Sequence, residues 1–190
     1  MIRLLSIASY IDACNRMFSR AVGWLLLIMV LLGAYNALAR YLERDVGLQL
    51  SSNALSELQW YLFGVAFLLG APYALKKGAH VRVDVLYGGL TERVQLWIDL
   101  VGSVLLLIPA CACAAWLSVD FVVDSYRDSE WSNDPGGLPR WPIKPVIPAA
   151  FALLMMQGVS EAIKRVAVLR GAATPDELQL NASAGDVNDG

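Results

Sequence analysis

The charged residues of this chain bracket four apolar blocks, and that arrangement constrains the fold more than any other feature. Nineteen residues without a charge separate Arg20 from Arg40, eighteen separate Glu57 from Lys76, and twenty separate Asp99 from Asp120. A fourth block of nineteen runs from Pro145 to Ile163, interrupted only by Glu161. At about 1.5 Å per helical residue each block reaches roughly 27–30 Å, the thickness of a hydrocarbon core. Trp24–Leu32 and Leu62–Leu69 are apolar all round, whereas the helices of a soluble bundle keep a polar face. The expected fold is an all-α integral membrane protein with four transmembrane helices, at about residues 21–39, 58–75, 100–119 and 145–163. The fourth is the weakest span, because Pro148, Gln157 and Glu161 leave only its middle strongly hydrophobic.

Composition agrees and excludes several classes of function. Of the 190 residues, 57% are hydrophobic and 17% charged, against roughly a quarter charged in soluble domains. A net charge of −2 gives no basis for binding nucleic acid. Three cysteines make no disulfide framework, and a single histidine excludes a bis-histidine haem within the chain. No internal repeat is visible, so the inverted-repeat plan of many complete secondary transporters has no support.

Lysine and arginine number three in residues 1–20, two in 40–57, four in 76–93, three in 120–144 and three in 164–190. The positive-inside rule then places both termini and the 76–93 loop in the cytoplasm. Trp24, Trp60, Tyr61, Tyr73, Trp97 and Trp116 stand near span ends, as interfacial anchors do. Residues 1–20 set Leu4, Ile7, Ile11, Cys14 and Phe18 at helical spacing. That row predicts an amphipathic helix in the cytoplasmic interface or against a partner helix. Ala37-Leu38-Ala39 resembles a cleavage site, but the long amphipathic stretch before the first apolar run favours a retained signal anchor. From residue 164 a cytoplasmic end is expected, and its Gly-, Ala-, Asn- and Asp-rich tail reads as disordered.

Chemistry has few places to reside. Glu161 is the one ionisable side chain inside a block and is expected to reach the interface or pair with Lys164 or Arg165. Glu57 and Asp99 sit at span mouths, and Ser52 or Asn53 is placed to cap the second helix. Cys111 and Cys113 are two apart and therefore point to different helix faces, against a redox pair. In the 76–93 loop, alternation puts His80, Arg82 and Asp84 on one side of an extended segment. One histidine and one carboxylate make no zinc site; the loop suits either anionic lipid or a neighbouring membrane subunit. Residues 131–145 hold four of the eight prolines and two tryptophans. This stiff turn either folds back on the bilayer surface or presents Arg140 and Trp141 to a partner.

The order of these features resembles the small membrane subunit, the DctQ component, of tripartite ATP-independent periplasmic (TRAP) transporters. Two strings carry the resemblance. One is Glu57-Leu58-Gln59-Trp60-Tyr61-Leu62-Phe63, continuing through Gly70-Ala71-Pro72-Tyr73 to His80-Val81-Arg82-Val83-Asp84. The other is Pro135-Gly136-Gly137-Leu138-Pro139-Arg140-Trp141-Pro142-Ile143-Lys144. The resemblance covers about residues 1–170. It implies a subunit of the bacterial inner membrane without catalysis and without a cofactor. In that family a periplasmic substrate-binding protein delivers an organic acid, and a large multi-span subunit carries the substrate and sodium sites. Glu57, Trp60, Tyr61, Tyr73, His80, Arg82, Asp84, Arg140 and Trp141 would then be partner or lipid contacts. An anchor subunit of a redox or quinone complex and a stand-alone four-span adaptor are the alternatives.

Overall fold

The computed structural model describes residues 2–47, 51–78, 89–175 and 178. Five α-helices account for most of them: α1 (Ile2–Val46), α2 (Asn53–Lys76), α3 (Glu92–Val101), α4 (Ile108–Arg127) and α5 (Val146–Leu169). A π-helical segment, Gly102–Leu107, joins α3 and α4 into one rod. Four rods are therefore long and apolar enough to cross a membrane. The π turn ends where Ile108 N–H reaches the Ser103 carbonyl, one residue before Pro109. Proline has no N–H to offer, and in a regular helix its ring presses on the carbonyl four residues back.

Helix ends follow local chemistry. Ser52 caps α2 by accepting the Ala54 N–H at 3.1 Å. Gly171 (φ +66°) ends α5, with Gly171 N–H bonded to Val168 and Ala172 N–H to Ala167. This is the paired closure that a left-handed residue permits.

The interior is built from small and polar residues. Ala8, Ala39, Ala66, Cys111, Ala150 and Ala167 are its buried hydrophobics, while Trp24, Trp60, Phe67, Leu106 and Trp116 are more than two-thirds exposed. Water would not tolerate this distribution. In lipid, apolar side chains gain nothing by leaving the exterior, and helices are drawn together by close packing and polar contacts. The packing is close at Gly158 on α5, where an added Cβ would lie 3.0 Å from Leu107.

The same logic explains two departures from expectation. The block broken by Gln157 and Glu161 is the central helix: α5 packs against every other described helix, and 28% of its apolar window is buried against 11% for α2 and 6% for each of the other rods. Gln157 and Glu161, which weaken its hydropathy, face inward. Residues 1–20, for their part, continue into the first span as one unbroken helix. Their apolar row points outward, with Leu4, Ile7 and Cys14 exposed, and Ala8, Asp12 and Asn15 form the face packed on the bundle.

Candidate functional site

Polar contacts gather at two levels of the bundle. At the loop end, residues 128–145 fold over the start of α2. Asn53, Glu57 and Tyr61 recur every fourth residue and so share one face of that helix. Asn53 donates its amide to the Pro135 carbonyl at 3.0 Å, and the Tyr61 hydroxyl donates to the Pro139 carbonyl at 3.3 Å. Between them Glu57, only 6% exposed, accepts the Leu138 N–H at 2.6 Å and the Ser132 hydroxyl.

The loop is shaped to be held this way. Gly137 N–H closes on the Asp134 carbonyl at 3.0 Å with Gly136 at φ +72°. Proline followed by a left-handed glycine makes this a type II turn. At Gly137 a Cβ would fall 2.5 Å from Ser132 and 2.8 Å from the Glu57 carboxylate, so only glycine fits. Behind the turn, Arg140 N–H bonds to the Glu130 carbonyl at 2.8 Å and Ser132 N–H to Leu138 at 3.1 Å. The Glu130 carboxylate takes the Lys144 ammonium and the Ser125 hydroxyl. Those two hydrogen bonds hold the Glu130 carboxyl below its ordinary value. Trp141 meets Tyr126 edge-on at 5.5 Å, and Lys144 lies 3.8 Å over the Phe121 ring.

At the opposite, terminal end the hub is Asp12 of α1. One of its oxygens accepts Lys164 at 2.6 Å and Lys76 at 3.1 Å, and the other accepts Ser160 at 2.9 Å and Gln157 at 3.0 Å. Asn15 donates to Gln157 at 2.6 Å. Glu161 pairs with Lys164 and Arg165, each at 3.0 Å, as its spacing implied, and Arg165 reaches Asp99 at 3.3 Å. The hub therefore ties α1, α2, α3 and α5 together. On α1, Asn15 at this level and Asn36, bonded to Ser56 at the other, are 21 residues apart. At about 1.5 Å per residue that is roughly 32 Å, one hydrocarbon thickness.

The candidate contact residues singled out by sequence fall into three groups. Glu57 and Tyr61 meet the 135–140 string inside the chain, and the backbone of Arg140 and the ring of Trp141 are held in the same loop. The loop thus folds onto α2, a third possibility beside the bilayer surface and a partner, because a buried carboxylate supplies the acceptor for its Leu138 N–H and Ser132 hydroxyl. Trp60 stands 72% exposed on the outside of α2, and Tyr73 is half-buried near its other end. His80, Arg82 and Asp84 lie outside the described residues. Cys111 is buried and Cys113 exposed, on different faces of α4. Asp12, Asn15 and the Glu130–Lys144 pair were not anticipated. A signal for the hub was present: Gln157, Ser160, Glu161, Lys164 and Arg165 are spaced as one helix face.

Residues 29–168 match the family model for tripartite ATP-independent periplasmic transporters, DctQ component. The chain belongs to the DctQ family. No curated protein and no solved structure matches it. As a DctQ component it is a small permease subunit of a TRAP transporter, within a family of transporter subunits rather than enzymes. The DctQ match contains both halves of the loop-end clamp, and it begins after Asp12 and Asn15. The hub at the terminal end thus joins a segment preceding the match to helices within it.

Proposed function

We propose that this DctQ subunit serves a sodium-driven transporter of the bacterial inner membrane that imports an organic acid delivered by a periplasmic binding protein. It braces the large multi-span subunit and holds no substrate site itself. One observation carries this reading: among the described residues the buried charged side chains lie at the two ends, where Asp12, Glu161, Lys164 and Arg165 pair with one another and Glu57 takes the Leu138 N–H and the Ser132 hydroxyl, and the outward surface between those ends is apolar. A body tied at both ends, with large hydrophobic side chains outside, suits a fixed support against which another subunit moves. Both termini are assigned to the cytoplasm by the ten-to-five excess of basic residues, so the loop-end clamp faces the periplasm. Trp60, Tyr73, His80, Arg82, Asp84 and the exposed parts of Arg140 and Trp141 are the candidate contacts with the large subunit or with lipid.

The test is uptake in cells lacking this chain, scored across radiolabelled organic acids with and without external sodium. Loss of uptake of one acid, restored by the chain together with its membrane and periplasmic partners, supports the reading. Unchanged uptake of every acid, or uptake indifferent to sodium, contradicts it.

A further inference from the structure

The geometry points to Arg16, Lys76 and Lys164 as a binding site for the phosphate of an anionic phospholipid at the terminal end of the bundle. These side chains, with Leu5, Ala8 and Asp12, line a cavity of about 210 Å³ between α1, α2 and α5, large enough to receive a phosphodiester group. Three cations and one carboxylate line it. Among the described residues the ion pairs behind it add Arg165, Glu161 and Asp99, so within this set four cations face three carboxylates, an excess of one positive charge. A phosphodiester carries one negative charge and balances that excess.

The donors are available. A lysine ammonium has three N–H groups; Lys76 gives one to Asp12, and Lys164 gives one each to Asp12 and Glu161. Both ammoniums are already held in place and largely desolvated, with side chains 8% and 6% exposed. Little ordering is then lost when an anion arrives. Arg16 follows Asp12 by one turn, is exposed, and has no partner among the described residues. Lipid is favoured over a soluble anion by position. The cavity lies at one of the two polar levels that bound a hydrocarbon thickness, Leu5 is on its wall, and the exposed Leu4 and Ile7 flank it. Basic pockets between transmembrane helices at this depth are lipid-headgroup sites. The inference uses the membrane fold and goes beyond the transporter assignment; that this end meets the cytoplasmic leaflet rests on the excess of basic residues there.

The test is native mass spectrometry of the purified full-length chain, offered phosphatidylglycerol or phosphatidylcholine of matched acyl chains. Arg16→Gln is compared with Arg20→Gln, which removes the same charge one turn away from the cavity. Arg16→Gln is expected to lower phosphatidylglycerol retention about fivefold, with Arg20→Gln close to the parent and phosphatidylcholine weak throughout. Equal retention of the two lipids overturns the proposal, as does an equal effect of the two substitutions. Inorganic phosphate competing as well as the lipid would assign the cavity to a free anion and also overturn it. The readout requires no partner subunit, so it fails or succeeds separately from the transport assignment.

Discussion

Glu57 reaches across 81 residues of sequence to accept the backbone N–H of Leu138 at 2.6 Å. A side chain at the mouth of the second span and the turn before the last span are one structural unit. The contact also explains Gly137, whose missing Cβ leaves room for that carboxylate.

Gly137→Ala is expected to destabilise the protein by about 1–3 kcal/mol, the usual cost of forcing a methyl group into a packed site. Thermal unfolding in detergent measures it. Glu57→Ala should release the same loop by leaving the Leu138 N–H without its acceptor. The double variant should then lose less than the sum of the two, because both act on one contact. Additive losses would mean that the two residues act separately.

Glu57→Gln should be milder than Glu57→Ala. An amide offers one oxygen to Leu138 N–H, and its NH₂ group can donate to the Ser132 hydroxyl once that hydroxyl turns. Protease nicking within residues 131–140 should rank the parent slowest, Gln next and Ala fastest. Equal nicking of parent and Ala would remove Glu57 from the account of the loop.

Asp12→Asn should cost about 3 kcal/mol, the low end for removing one partner from buried ion pairs, because two ammoniums lose their shared carboxylate. Lys76→Met should cost less, since Asp12 retains Lys164. Unfolding midpoints of the two variants in the same detergent decide the order, and the reverse order would show that Asp12 is not the hub.

Acid should loosen the loop end. Lys144 and Ser125 hold the Glu130 carboxyl below its ordinary value of 4.5. A depressed native value means the stabilisation is complete above pH 4.5 and is lost as pH falls through the lower native value. Pepsin cleavage between residues 128 and 145 should therefore rise steeply in that window. Glu130→Gln should take away the Lys144-dependent part of the rise, and an identical profile for the variant would leave the pair with no role.

Hydropathy and charge placement made the four spans legible, because crossing a bilayer demands long uncharged helices whatever they pack against. The pairing of Glu161 with its neighbours and the Ser52 cap were legible as well, since both are local. The meeting of Glu57 with Leu138 was not, as each end of that bond looks like an ordinary boundary residue until the chain folds. The inward face of α1 was misleading for another reason. An amphipathic pattern reveals two faces, and in lipid the polar one, Asp12 and Asn15, turns inward. Central placement of α5 follows the same inversion, with polarity marking the core instead of the surface.

The most direct test of the account is capture of the tagged chain from native membranes in mild detergent, with its companions identified by mass spectrometry. The account predicts that a much larger multi-span membrane protein accompanies it, and that Gly137→Ala reduces the amount recovered. Recovery of the chain as a lone monomer, from membranes where a candidate large subunit is present, would contradict it.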